Sequence, residues 1–552
     1  MSLQESNILM ITSRYQTLHI ATAAMLLLCF TLSVHGQRPA ECGEMLGESC
    51  TSIMVGKKAS TDGSVITSHT CDSWYRTWMT MVPARDHKAG TTTAIYDGRM
   101  HTQAATDSTK MYVKGHIPQV SHTYRFLDTA YPCLNEKQLA MGETTITGRK
   151  ELRNKKGMFM IEELERIALE RCSTARQAIR LMGDLIKQYG YGDSGECLTI
   201  ADKQEVWIFE VFGEGDKKIG GVWAAVRIPD DEVSVSANIC RISTLDLSNP
   251  DRYMASDNVF DVAKRMGWWD GKSTFSFWRA YSGGNYMKET KNYSVREHFI
   301  LSTLAPSLNL RDDVEDLPLS VRPDKPVSVE QVMRLLGSYY EGTPQNLSGR
   351  HKIKPKKKEG QTEPADSVVS PVSNPWMRPD EIEMYYAMGD STMKNIRTVS
   401  VPWCAYSTVI QLRSWLPDAV GGVAWVALDN PGESPRFPIF AGTTTLPDML
   451  QVCGQHSERD DAALWHYRKA NRLATVRWGT YRKMIEPARD YFISKGLREL
   501  PWIEQAYATM AETDPKGAQQ MLNGYVADFF AATIAKWDEM TRKMWRQTWA
   551  GF

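Results

Sequence analysis

The stretch Cys50-Thr-Ser-Ile-Met-Val-Gly-Lys-Lys-Ala-Ser-Thr-Asp-Gly-Ser-Val-Ile-Thr-Ser-His-Thr-Cys-Asp72 leaves the chain few choices. Two runs rich in β-branched residues, 50–57 and 64–70, flank the turn dipeptide Asp62-Gly63, a pattern that predicts a hairpin. Cys50 then opens a strand. The segment before it reads as removable, which makes Cys50 the expected first residue of the mature chain. A cysteine in that position unites nucleophile and base. Its α-amine, of pKa about 7.7–8.0, can take the proton of its own thiol, of pKa about 8.5, near neutral pH.

The removable segment has two parts. Residues 20–34 form an uncharged apolar run between Arg14 and His35-Gly36, too short for a spanning helix of about 20 residues and patterned like a secretory h-region. The expectation is therefore a signal peptide over 1–36, export to the periplasm or extracellular space, and no stable membrane insertion after cleavage. An uncleaved anchor and a buried helix are the competing readings. Residues 37–49 lack periodicity and read as a propeptide. Leu46-Gly-Glu-Ser is a poor lipobox, and acylation would block the Cys50 amine, which argues against a lipoprotein.

Lys plus Arg and Asp plus Glu both number 65, so the formal net charge is zero and gives no electrostatic ground for binding nucleic acid or an anionic membrane. Of the ten cysteines, losing Cys29 and Cys42 and reserving Cys50 leaves seven. An odd, widely spaced set is no disulfide framework, though one or two bridges stay open to it in an oxidising compartment. There is no Cys-x-x-Cys, His-Glu-x-x-His, phosphate loop or Gly-x-Gly-x-x-Gly after a strand. No metal and no cofactor are expected.

Beyond the hairpin, a strand is predicted from Leu139 to Ile146, then helices over 160–171 and from the capping box Thr174-Ala-Arg-Gln177. Strands are predicted at 197–202, 204–212, 220–228 and 232–242, and again at 398–404, 406–413, 421–429 and 437–441. A helix starts at Ser328-Val-Glu-Gln331 and ends near Gly342. Trp268-Trp269, Phe275, Phe277 and Trp278 either wall a cleft or pack as core. The lysine-rich run 350–373 reads as a solvated loop. From Asp460 the chain is helical, with Asp514-Pro515 as cap and first turn of the last helix and with aromatic and Met stripes suited to core or to a homo-oligomer contact. Strands, then helices, then strands imply sheets covered by helices, an α+β fold.

The run CTSIMVGKKASTDGSVITSHTCDS resembles the start of mature dipeptidases of the dipeptidase A and secernin group, N-terminal-nucleophile hydrolases related to penicillin V acylase and bile-salt hydrolase. Asn135-Glu-x-x-Leu-Ala, Ser236-Ala-Asn-Ile-Cys-Arg-Ile242, Gly421-Gly-Val-Ala-Trp and Ser434-Pro-Arg-Phe extend the likeness through most of the chain. The resemblance implies a four-layer αββα sandwich over 50–455 with a helical region over 456–552. It implies Cys50 as nucleophile, Asp72 as holder of its amine, Asn238 as an oxyanion donor, and Arg241 as a residue that orders the site or holds a substrate carboxylate. Glu143 and Thr144 fall at the strand end beside the nucleophile, where a backbone N–H near Thr144 can serve the oxyanion. His69 stands where the acylase branch has arginine, and a neutral imidazole stabilises a thiolate less than a fixed cation does.

The expected activity is cleavage of dipeptide amide bonds, with Glu143 and Glu196 as candidates to receive the substrate ammonium. Amide hydrolysis of an N-acyl amino acid or conjugated bile acid is the alternative, and a non-catalytic secreted binding protein is the alternative from another class. Gly192-Asp-Ser-Gly-Glu196 imitates the surroundings of a trypsin-like serine, and a second Gly-Asp-Ser stands at 389–391. Neither has a triad context, because His69-Thr-Cys is not Ala-Ala-His-Cys.

Overall fold

The computed structural model describes residues 49–284, 291–354, 366–390 and 396–548. The expected signal peptide, propeptide residues 37–48, Cys29, Cys42, Lys356, Lys357, Lys358 and Ser391 lie outside the described residues.

Among the described residues, fifteen strands build two antiparallel sheets. In chain order they are β1 (Ser52–Val55), β2 (Val65–Cys71), β3 (Thr80–Val82), β4 (Phe126–Asp128), β5 (Leu134–Asn135), β6 (Ala140–Ile146), β7 (Gly195–Ala201) and β8 (Val206–Gly213). They continue with β9 (Gly221–Ile228), β10 (Val233–Ser236), β11 (Tyr253–Ala255), β12 (Ser320–Val321), β13 (Tyr406–Leu412), β14 (Gly422–Leu428) and β15 (Phe437–Phe440). One sheet runs β12-β10-β1-β2-β13-β14-β15, the other β11-β9-β8-β7-β6-β5-β4-β3. They stack face to face, with β2 lying over β6, β7 and β8. Strands β2, β7, β13 and β14 are buried along their whole length and β6 at all but Thr145, which is why they read as near-continuous runs rather than as a clean apolar-polar alternation.

The hairpin turns where expected, with Gly63 at φ 85°, a conformation that a residue without Cβ adopts freely. Its ladder is unusual. Ile53 N–H donates to Ser68 Oγ at 2.7 Å and Thr51 N–H to Thr70 Oγ1 at 2.9 Å, so side-chain hydroxyls take two strand N–H groups beside the main-chain bond from Thr70 N–H to Thr51 O at 3.0 Å.

The helices α1 (Ile161–Arg171) and α2 (Ala175–Tyr189) follow their predicted bounds, and Thr174 caps α2 by accepting from Gln177 N–H at 3.3 Å. Packing of α2 is against β7 and β9 on the outer face of the second sheet. The helix α3 (Lys291–Leu304) packs on β10 of the first sheet, and α4 (Val329–Leu336) begins at the Ser328 cap and stops at Gly337 rather than near Gly342. At the C-terminus α5 (Ala463–Val476), α6 (Trp478–Ala511) and α7 (Pro515–Gln547) pack on one another and on β14 and β15. Buried Asp429 ties α5 to the sheet by accepting from Arg468 at 2.8 Å and Asn471 at 2.9 Å. Asp514 caps α7 as expected, accepting from Gly517 N–H at 2.9 Å. No helix among the described residues is long and apolar enough to cross a membrane.

Two strand predictions fail. The run 398–404 is irregular: Pro402 has no N–H to donate, and Thr398 and Ser400 bond to local and Gly337–Ser338 carbonyls instead. The predicted strand 232–242 stops at Ser236, because Asn238 takes a left-handed φ of 66° that no ladder accommodates. Phe277 and Trp278 are fully buried, and Trp269, Phe275 and Phe260 pack edge to face, so that aromatic group is core.

Candidate active site

Cys50 lies just before β1 and is wholly buried. Three of its atoms are held by three different parts of the chain. Its N–H donates to Asn238 Oδ1 at 2.8 Å, its carbonyl accepts from Arg296 Nη1 at 2.7 Å, and its thiol points at Glu143 Oε2, 3.6 Å away. Burial, with Glu143, Cys71 and Asp72 adding to it, pushes the Cys50 thiol well above its ordinary value. The thiol is therefore protonated in this chain, where Ser49 still precedes Cys50.

Asn238 is placed by its own strain. The left-handed turn that ends β10 swings its amide back over the Cys50 end of β1, and Asn is among the residues that tolerate such a backbone. Its oxygen accepts from both Cys50 and Arg296 Nη2, the latter at 2.9 Å, while its nitrogen donates to Thr145 O at 2.8 Å. One amide hydrogen of Asn238 is thus assigned and a second lies on the same nitrogen.

Arg296, on α3, escaped sequence reasoning. It sits in Lys-Asn-Tyr-Ser-Val-Arg-Glu, an ordinary helical run, 246 residues from Cys50, and no local pattern marks it. Its fork binds Cys50 O, Thr51 Oγ1, Ala237 O and Asn238 Oδ1 at 2.7–2.9 Å, joining β1 to the Asn238 turn. Burial, and then the nearby Arg397, lower its pKa to about 9.

Asp72 closes β2. Its Oδ2 accepts from Arg397 Nη2 at 2.6 Å and from Thr70 Oγ1 at 2.9 Å, while Arg397 also donates to Ser49 Oγ at 3.0 Å. The other oxygen, Oδ1, is buried without an N–H or O–H donor, with the Cys404 thiol beside the carboxylate. Arg397, too, was missed.

His69 and Glu143 meet across the two sheets. His69 Nδ1 lies 2.6 Å from Glu143 O and 3.2 Å from Glu143 N, and the ring packs edge-on to Tyr131 at 5.3 Å. Burial lowers the imidazole pKa to about 4, so His69 is neutral at physiological pH. The Glu143 carboxyl is pushed up to about 7 by burial, against hydrogen bonds from Glu196, Thr145 and Cys50. Thr145 Oγ1 donates to it at 3.2 Å. Cys50, His69 and Glu143 also offer three metal-ligand atoms within 4.8 Å of one another, a grouping the sequence did not suggest.

The remaining candidates divide. Glu196 joins Glu143 beside the nucleophile. Thr144 faces Cys197 across the β6–β7 ladder and bonds Ser236 Oγ through its hydroxyl at 2.5 Å, while the neighbouring Glu143 N–H is given to His69. Arg241 is not brought to Cys50: its guanidinium ion-pairs with Glu297 at 3.2 Å and donates to the Val235, Pro318 and Leu319 carbonyls. That arrangement fits the ordering role and not the hold on a substrate carboxylate. Ser194 lies on a cavity wall, with its N–H on Asp193 Oδ1, and no histidine is among the described residues that line that cavity. All eight described cysteines are buried and none is in a disulfide.

Comparison with known proteins gives the chain a family. The chain is 25% identical over 458 residues to a probable dipeptidase of Latilactobacillus sakei, covering 79% of this chain and 83% of that protein. It is 27% identical over 415 residues to a probable dipeptidase of Salmonella dublin, covering 71% and 81%. To dipeptidase A of Lactobacillus helveticus it is 22% identical over 462 residues, covering 82% and 86%. The model of peptidase family C69 matches residues 49–491, starting one residue before Cys50 and taking in Asp72, Glu143, Asn238 and Arg296, and by that match the chain belongs to peptidase family C69.

Proposed function

We propose that the protein is an exported cysteine dipeptidase whose mature chain begins at Cys50, and that the two sheets with their outer helices are the αββα sandwich of an N-terminal-nucleophile hydrolase. The observation that carries the reading is the enclosure of the Cys50 N, O and Sγ atoms by Asn238, Arg296 and Glu143. A structural cysteine needs none of these polar partners; a nucleophile that must be aimed needs all of them.

Removal of residues 1–49 leaves an α-amine where the Cys50 N–H now lies, against Asn238 Oδ1. The ammonium form has two further protons to place. The buried Oδ1 of Asp72, on the strand end bridged to Ser49, is the acceptor suited to hold and orient it. In the reaction the α-amine takes the thiol proton as sulfur attacks the substrate carbonyl. The second N–H of Asn238 Nδ2 stabilises the oxyanion. The leaving amine takes the proton from the α-ammonium, and water, deprotonated by the same α-amine, hydrolyses the thioester. Neutral His69 fixes the Glu143 backbone rather than supplying charge.

Substrates are dipeptides, by analogy with the dipeptidase names of the relatives. Mass spectrometry of the exported protein, paired with turnover of a dipeptide set, tests the proposal. A mature mass starting at Cys50 with dipeptide hydrolysis is expected. An active enzyme that retains Gln37 as its first residue ends the N-terminal-nucleophile reading.

A further inference from the structure

Beside the Cys50 network lies a cavity of about 130 Å³, walled by Thr145, Arg149, Arg153, Asp193, Ser194 and Phe212 among others. Thr145 is common to both. Its carbonyl accepts from Asn238, and its hydroxyl donates to Glu143 at 3.2 Å, so the cavity is one residue from the groups that touch Cys50.

The charges of the wall are arranged unevenly. Asp193 is engaged, accepting from Ser194 N–H at 2.8 Å and from Ile161 N–H at the start of α1 at 3.3 Å. Arg149 gives Nε to Ala280 O at 2.6 Å and Nη2 to Arg279 O at 3.3 Å, with its guanidinium over the Trp268 ring at 4.7 Å. Carbonyls and a ring fix its position, and the Glu151 carboxylate acts on it from beyond ion-pair distance. Among the described residues neither Arg149 nor Arg153 has a carboxylate within ion-pair distance, whereas Arg76, Arg166, Arg241, Arg397 and Arg413 all do. The half-buried Arg149 and the exposed Arg153, neither in an ion pair with a described residue, stand on one small cavity whose wall shares Thr145 with the Cys50 network, an arrangement suited to an anion.

We infer that Arg149 and Arg153 receive the C-terminal carboxylate of the substrate in this cavity. The inference rests on the dipeptidase reading and replaces Arg241 in the part that sequence reasoning assigned to it. It also gives part of Gly192-Asp-Ser-Gly a use, because Asp193, Ser194 and Gly195 line the same cavity as the two arginines. The cavity is closed at its back by Phe212, whose ring would meet a Cβ on Gly148 or Gly195 at 2.4 and 2.3 Å, so both glycines are needed to leave the wall thin. A site of this size takes a chain end and excludes the continuation of a longer peptide. Dipeptide length is thereby set by charge and room together.

The test compares kcat/KM for a dipeptide and its C-terminal amide in the wild type, Arg153→Gln and Arg149→Gln/Arg153→Gln. The wild type should prefer the free acid by roughly tenfold or more, the order of a lost charge-assisted pair, and the double variant should bring the ratio near one. Titration of Cys50→Ala with an uncleaved dipeptide by calorimetry should show the same loss of affinity with both arginines replaced, independent of turnover. A ratio and an affinity unchanged in the double variant overturn the inference while leaving the dipeptidase reading intact. A wild type that cleaves no dipeptide overturns both.

Discussion

The Cys50 thiol lies 3.6 Å from Glu143 Oε2, and the two groups are both buried acids that cannot share a negative charge at that distance without cost. Burial raises both, Glu143 to about 7. Whichever ionises first opposes the other. The state in hand near neutral pH is therefore a protonated thiol facing a carboxyl poised at its midpoint. An α-ammonium at Cys50 would tip that balance toward the thiolate, which is the physical case for processing as activation.

A first prediction concerns stability and pH. The folded-state pKa of Glu143, about 7, exceeds its ordinary value of 4.5, so the folded chain keeps a proton that the unfolded chain has released. Stability then falls as pH rises from about 4.5 to 7 and stays lower above it. Glu143→Gln in a Cys50→Ala background should match its parent near pH 4 and be more stable at pH 8. The upper bound is about 3 kcal/mol at 1.36 kcal/mol per unit. Denaturant melts at both pH values check it. Equal differences at the two pH values would remove Glu143 from the titrating set.

Replacement of the nucleophile gives the second. Cys50 precedes β1, and its main-chain bonds to Asn238 and Arg296 survive a change of side chain. Cys50→Ala should keep the fold and abolish turnover, and Cys50→Ser should retain weak activity at most, since a hydroxyl is the poorer nucleophile at neutral pH. Ser194→Ala is the control. Dipeptide hydrolysis at the wild-type rate by Cys50→Ala would reinstate a serine mechanism.

The buried pair Asp72–Arg397 separates stability from chemistry. Asp72→Asn leaves Arg397 facing a neutral amide, and breaking such a pair costs on the order of 3–5 kcal/mol. Arg397→Gln leaves the Asp72 carboxylate in place, though with fewer donors. If Asp72 holds the α-ammonium, Asp72→Asn should lower kcat far more than Arg397→Gln does at equal destabilisation. Circular-dichroism melts and steady-state kinetics on both variants decide; proportional losses in both would make Asp72 a structural residue.

How much of this was legible beforehand depends on sequence distance. Cys50, His69 and Asp72 share one hairpin, and a period-two pattern with a Gly turn places them together without any tertiary knowledge. Asn238 was legible from the family likeness and as a polar residue within an apolar strand, but not the left-handed turn that aims it, since the strand pattern runs on to Ile242. The family likeness offers Arg241 as a residue that orders the site or holds a substrate carboxylate, and a buried arginine needs a partner in either role. The partner is Glu297, on α3, and no local pattern links the two. Arg296 and Arg397 carry no signal of their own: one sits on a helix face, the other in a loop, and only the folded chain brings both to β1 and β2. The early stop of β10 and the loss of a strand at 398–404 share one cause, a local backbone constraint that outweighs β propensity.

His69 supplies a prediction by its neutrality. With a folded-state pKa of about 4 against an ordinary 6.5, it resists protonation, and stability drains as pH falls from about 6.5 to 4. An acid limb of the rate profile near pH 6.5 therefore does not belong to this imidazole. His69→Asn, which can still bond the Glu143 main chain, should leave the limb in place. His69→Arg should destabilise the fold by burying another cation between Tyr131 and Tyr406. A limb that moves with His69→Asn would make the residue part of the titrating site.

Asn238 permits the cleanest separation of backbone from side chain. Its φ of 66° costs an ordinary L residue roughly 1–2 kcal/mol and costs glycine almost nothing. Asn238→Gly should therefore keep the turn that ends β10 while deleting the amide that meets Cys50, Arg296 and Thr145. Asn238→Ala deletes the same amide and adds the backbone strain. If the amide stabilises an oxyanion, both variants should lose about 10²–10³ in kcat, the range for one oxyanion donor, and only the alanine variant should show the additional drop in stability. Should Asn238→Gly turn over dipeptides at the wild-type rate, the amide is a structural clamp between β1 and β6, and the oxyanion must be held by other donors.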